Sequence, residues 1–138
     1  MKAVASYIGL GSNMGNRRKK IQFAVNQLKN LPRTRLLKMS DIYETDPIGP
    51  VRQADYHNAV AKIKTRLSPI GLLVELKRIE ALCGRKPNTV RWGPRELDLD
   101  ILTYGKLRFS STFLQIPHKQ MPYRDFVLRP GKDVGLPA

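Results

Sequence analysis

Asp98 and Asp100 stand two residues apart in the run Leu97-Asp98-Leu99-Asp100-Ile101. On a strand, that spacing puts both carboxylates on one face and Leu97, Leu99 and Ile101 on the other. Two neighbouring carboxylates repel unless a cation neutralises them. Hard oxygen ligands at this spacing suit Mg²⁺, which keeps waters and takes further oxygens from phosphates. Arg85, Lys86, Arg91 and Arg95 precede the pair, with Trp92 among them. Guanidinium forks match phosphate oxygens in bidentate fashion. An acid pair beside arginines is the makeup of a phosphoryl-transfer site, where charge stabilisation carries most of the catalysis. The competing reading is an Arg-Trp surface that stacks on single-stranded nucleic acid. The carboxylates argue against it, because without a metal they would repel a phosphate backbone.

A second group lies earlier in the chain. Tyr56 and Asn58 share one strand face, and an aromatic plane beside an amide can stack on and hydrogen-bond a flat heterocycle. Pro117-His118 and Arg124-Asp125-Phe126 add a titratable ring, a cation and another aromatic. His57 points away from Tyr56 by alternation and reads as a satisfied surface histidine. The run Gly9-Leu10-Gly11-Ser12-Asn13-Met14-Gly15 invites comparison with phosphate loops. It lacks the Gly-Lys-Ser/Thr ending and the glycine spacing of the dinucleotide fingerprint. It reads instead as a strand-to-helix turn.

These residues need elements to hold them. Residues 3–10 read as a buried strand ending at Gly9 and Gly11. Residues 15–30 read as a helix capped by Asn13 or Asn16, with Ile21, Ala24, Val25, Leu28 and Leu31 at helical spacing and Pro32 as its stop. A strand is expected over 35–43 and a loop from Thr45 to Asp55. Residues 56–65 alternate cleanly. Ser68-Pro69 starts a second helix whose stripe is Leu72, Leu73, Leu76, Ile79 and Cys83, with Gly84 as its stop. An Arg- and Pro-rich loop covers 85–96. A strand follows over 97–104, turned at Gly105-Lys106 into a short hairpin partner, and a last helical turn is expected near 123–129. The order is strand, helix, strand, strand, helix, strand. That is an α+β class with a ferredoxin-like βαββαβ core, an antiparallel sheet flanked by helices. Unrelated functions use this pattern, so it does not select one.

The 138 residues fit one domain, 1–138, and 41% apolar content supports a packed core. No window approaches the roughly 18 apolar residues of a membrane span. Cys83 is the only cysteine, which excludes an internal disulfide, and the N-terminus lacks the features of a secretory signal. The cytoplasm is therefore the expected compartment. With 25 basic and 11 acidic residues, a net +14, the chain favours polyanionic partners. A ferredoxin-like RNA-binding module is the alternative from another class. The aromatic pattern of RNA-recognition strands is missing, so no specific nucleic acid is expected.

Taken together, the motifs resemble the 6-hydroxymethyl-7,8-dihydropterin pyrophosphokinase family of folate biosynthesis. The most specific part is Arg91-Trp92-Gly93-Pro94-Arg95 followed by Leu97-Asp98-Leu99-Asp100. Tyr43-Glu44-Thr45, Pro47-Ile48-Gly49-Pro50 and Asp55-Tyr56-His57-Asn58-Ala59 match its pterin side; Ile79-Glu80, Gly84-Arg85, Pro117-His118, Arg124 and Phe126 complete it. The resemblance implies transfer of the β,γ-pyrophosphate of ATP to the pterin hydroxymethyl oxygen, releasing AMP. It implies two Mg²⁺ ions on Asp98 and Asp100, with Arg85 and Arg95 stabilising the triphosphate. Lys77, Glu80, Ile101, His118, Lys119 and Arg124 are implied on the nucleotide, with Glu80 on its nucleoside side. Tyr56 and Phe126 would sandwich the pterin, Asn58, Thr45 and Ile48 would read its edge, and Trp92 would close over the site. The partners implied are ATP and a pterin, in a monomer or a dimer. The chain departs from the family at Asp46, at Pro87-Asn88, at Lys119 and in a C-terminus that ends early. Asp46 admits a related pterin as the substrate.

Overall fold

The computed structural model describes residues 2–12, 15–45, 56–84, 97–118 and 130–136. Strand β1 (Val4–Ser12) leads into helix α1 (Arg17–Lys29). The helix starts at Asn16, whose side chain accepts from the Lys19 N–H at 3.1 Å. Of the five residues expected by spacing, Ile21, Ala24 and Leu28 are buried within it, Leu31 is buried just past its end, and Val25 is partly buried. Strand β1 runs further than anticipated. Gly9 and Gly11 lie inside it rather than in a turn.

The strand expected over 35–43 is two strands, β2 (Thr34–Met39) and β3 (Tyr43–Thr45). Both pair with β4 (Tyr56–Thr65) along the same side. Ser40 breaks the ladder between them. Its backbone N–H donates to the Val60 carbonyl at 2.9 Å, and its Oγ accepts the Val60 N–H at 2.8 Å. A side-chain oxygen thus replaces a backbone acceptor.

Helix α2 (Pro69–Leu82) begins where Ser68 and Pro69 predict: Ser68 Oγ accepts the Gly71 N–H at 3.0 Å. Beyond its Cys83 cap, Gly84 adopts φ +94°, a conformation that favours glycine and ends the helix. Strand β5 (Asp98–Tyr104) turns at Gly105, φ +55°, where a Cβ would lie 2.9 Å from Val4. The expected hairpin partner of β5 is not formed. Strand β6 (Phe109–Ser110) instead pairs with β7 (Gln115–Ile116) in a separate ribbon. The helical turn expected near 123–129 lies outside the described residues, and one is present at 130–133.

The main sheet is antiparallel, in the order β2-β4-β1-β5, with β3 beside β4. Helices α1 and α2 cover one face. Ile8, Leu10, Ala59, Ala61, Ile63, Leu99 and Ile101 meet Ile21, Leu28, Leu72 and Leu76 there. On the opposite face a smaller cluster joins Tyr7, Val60 and Leu102 to Val134 and Leu136. The Tyr7 hydroxyl donates to the Val134 and Gly135 carbonyls at 3.3 and 3.1 Å. No helix among the described residues is long and apolar enough to cross a membrane.

Candidate active site

The helix-free sheet face brings together three of the expected site residues, Asn58, Asp98 and Asp100. Register places Asn58 of β4 opposite Gly11 of β1, and Gly11 opposite Asp98 of β5. One step along, Val60 faces Gly9, and Gly9 faces Asp100. Directly opposed antiparallel residues share a face. Asn58 and the two aspartates therefore flank a floor made of two glycines. The spacing between Asn58 and Asp98 is two strand widths, about 10 Å. A Cβ at Gly9 would touch the Leu102 side chain at 3.4 Å, and Gly11 is buried between its two neighbours. The place of Gly9 and Gly11 between the β4 and β5 residues is what sequence reasoning missed. Their period-two spacing in an apolar run was the available signal.

Asp98 and Asp100 are half-exposed, and Leu99 and Ile101 between and beyond them are buried, as the alternation requires. Leu102 is an extra residue in β5 relative to β1, a bulge two residues after Asp100. Bulges beside sites re-aim the neighbouring side chains. Among the described residues no three acidic, histidine or cysteine side chains cluster as a metal cage. A pair of carboxylates still fits Mg²⁺, which takes one or two from protein and the rest from waters and phosphates.

Strand β5 is an edge of the described sheet, and two residues use its outward backbone groups. Glu80 on α2, only 2% exposed, accepts the Leu99 N–H through Oε2 at 2.8 Å. His118 donates its backbone N–H to the Leu102 carbonyl at 2.8 Å, just after a cis Ile116–Pro117 bond. Its Nε2 lies 3.9 Å from Asp100 Oδ1. Burial lowers the His118 pKa below its ordinary 6.5, and the Asp98 charge offsets part of that. The ring's approach to Asp100 is at the long end of a polar contact.

A cleft of about 290 Å³ opens beside Asp100, near the lower end of small-molecule sites. Leu73, Ile101 and Leu114 give it an apolar wall; Lys77, Asp100 and His118 give it a polar side. Lys77, 59% exposed, reaches Glu80 Oε1 at 3.4 Å. Glu80 itself is buried against β5 and does not line this cleft. Its described contacts position the strand that carries both aspartates. Ser111 to Gln115 line the cleft too, on a hairpin that no periodicity announced.

On the other flank, Thr45 and Tyr56 oppose one another in the β3–β4 ladder, two positions from Asn58. Asn58 is 6% exposed. His57 is not the satisfied surface residue anticipated. Its side chain is 18% exposed, and its buried Nδ1 has no partner among the described residues. Burial lowers its pKa, with Arg17 adding to the effect and Glu44, 3.8 Å away, opposing it. Arg85, Trp92, Arg95, Ile48, Lys119, Arg124 and Phe126 lie outside the described residues, as do Asp46 and Pro87.

The model of the 7,8-dihydro-6-hydroxymethylpterin-pyrophosphokinase (HPPK) family matches residues 7–135, which takes in every element around this face. The chain belongs to that family. Three relatives carry the name 2-amino-4-hydroxy-6-hydroxymethyldihydropteridine pyrophosphokinase. The Pseudomonas aeruginosa protein is 44% identical over 93% of this chain and 78% of its own length. The Haemophilus influenzae protein is 46% identical over 92% and 79%, and the Bacillus subtilis protein 43% over 91% and 74%. Around this face the described residues set an acid pair beside a cleft of about 290 Å³ and a buried amide two strands away.

Proposed function

We propose that this chain is an ATP-dependent pyrophosphokinase of folate biosynthesis that acts on 6-hydroxymethyl-7,8-dihydropterin. The observation that carries the reading is the single cross-sheet row Asn58–Gly11–Asp98, with Asp100 and the cleft alongside. It sets an amide suited to a heterocycle and an acid pair suited to a metal–phosphate on one surface.

The nucleoside of ATP lies against Leu73, Ile101 and Leu114, with Lys77 and His118 toward its phosphates. Asp98 and Asp100 are the residues that would hold two Mg²⁺ ions, which when bound would supply charge neutralisation for an in-line displacement. Arg85, Arg95, Lys119 and Arg124 add to the phosphate contacts. The pterin lies over Gly11, between Tyr56 and Phe126, with Asn58, Thr45 and Ile48 at its edge and Trp92 closing above. Its hydroxymethyl oxygen attacks the β-phosphorus, the bond from that phosphorus to the α,β-bridging oxygen breaks, and AMP leaves. Glu80 holds β5 in place through Leu99 while this occurs.

The finer fold reading is ferredoxin-like. Counting β2 and β3 as one interrupted strand gives the order βαββαβ within one domain, which supports it. The cytoplasm remains the proposed compartment, on the strength of a lone cysteine. The test supplies ATP, Mg²⁺ and the pterin. Equimolar AMP and pterin diphosphate are expected. Release of ADP, or AMP release independent of pterin, refutes the reading.

A further inference from the structure

Phe113 is the most exposed large apolar side chain among the described residues, at 85%. It stands in the four-residue loop 111–114 that joins β6 to β7. That loop is firmly built. Ser111 Oγ accepts the N–H groups of Phe113 and Leu114 at 3.3 and 3.2 Å, and the Ser111 N–H donates to the Leu114 carbonyl at 2.9 Å. Leu114, next along the chain, is buried and anchors the hairpin. This hydrogen-bonded loop presents an aromatic ring to solvent, in the lining of the cleft that also contains Leu73, Ile101 and His118.

Exposing so much apolar area has no folding benefit. A planar ligand in the cleft would cover it. The Leu73–Ile101–Leu114 wall suits one face of a flat, uncharged ring system, and Phe113 suits its other face. The charged part of the same ligand points to Lys77 and His118. A purine nucleotide has this division. Resting on the pyrophosphokinase reading, we infer that Phe113 stacks on the adenine of ATP and so contributes to nucleotide affinity from outside the phosphate contacts.

The experiment compares wild type, Phe113→Ala and Phe113→Tyr. Binding of α,β-methylene-ATP and of inorganic tripolyphosphate is measured by calorimetry in Mg²⁺, and turnover is measured separately. Base–aromatic stacking of about 1 kcal/mol or more corresponds to at least roughly fivefold in affinity. Phe113→Ala should weaken the methylene-ATP complex by about that factor. It should leave tripolyphosphate affinity and the pterin KM unchanged, and raise the KM for ATP without lowering kcat. Phe113→Tyr should restore tight binding, since it keeps the ring. Equal affinity of wild type and Phe113→Ala for methylene-ATP overturns the inference, as does equal weakening of tripolyphosphate. If Phe113→Ala weakens nucleotide binding selectively while no pterin diphosphate forms, the stacking role stands and the pyrophosphokinase reading fails.

Discussion

Replacing Glu80 by alanine removes the acceptor of the Leu99 N–H. That bond is 2.8 Å long and both residues are 2% exposed, so no water replaces it readily. A buried donor left without an acceptor costs about 1–3 kcal/mol. The void left by the truncated side chain adds on the order of 1 kcal/mol, and relief from burying a carboxylate returns part of the total. The net loss is about 1–3 kcal/mol, or a fall of about 3–12 °C in Tm for a chain of this size. Glu80→Gln keeps an oxygen in the same place and should lose only about 1 kcal/mol, the difference between a charged and a neutral acceptor. Urea unfolding of the wild type and both variants measures this. Because Leu99 separates the two aspartates, the alanine variant should also lose kcat at temperatures where it remains folded. A Glu80→Ala stability within about 0.5 kcal/mol of wild type would refute the reasoning, since that is the range of inconsequential surface changes. So would a Glu80→Gln variant as unstable as Glu80→Ala, which would show that the charge and not the Leu99 bond matters.

Asp98→Ala and Asp100→Ala should each abolish turnover while circular dichroism shows the fold kept; near-normal activity in either variant would refute the metal assignment. Gly11→Val should keep the fold, since valine suits a strand, while its side chain occupies the floor between Asn58 and Asp98 and raises the pterin KM steeply in steady-state kinetics. Acid should destabilise the protein through its histidines. His57 and His118 both have folded pKa values below the ordinary 6.5, so the unfolded chain takes up protons first and stability falls as pH drops through 6.5 toward the folded values. Thermal melts of His57→Gln should show a flatter dependence across that window than wild type.

Much of this was legible from residue order because the relevant rules are local. Period-two alternation is a property of any strand, so the common face of Asp98 and Asp100, and the burial of Leu99 and Ile101, follow without knowledge of neighbours. Ser68-Pro69 and Gly84 bound α2 through capping and a left-handed backbone, which are also local. The remainder depends on partners distant in sequence. Gly9 and Gly11 signal a turn when read locally, and only the register with β4 and β5 shows that they clear a floor. Glu80 sits in a helix like any surface acid, and its burial follows from α2 packing at the β5 edge. Ser40 breaks a plausible strand because its hydroxyl takes the place of a carbonyl toward Val60. The separate β6–β7 ribbon, and with it part of the cleft lining, involves too few residues for any periodicity.

The central claim is attack on the β-phosphorus of ATP by the pterin hydroxymethyl oxygen at this sheet face. It is tested most directly with ATP carrying a heavy oxygen isotope in the α,β-bridge, turned over in Mg²⁺ with 6-hydroxymethyl-7,8-dihydropterin and read by mass spectrometry of both products. The account predicts the label in AMP, an unlabelled pterin diphosphate, and no AMP when the pterin is withheld. Label in the pterin product, or labelled pyrophosphate with an unmodified pterin, would contradict it.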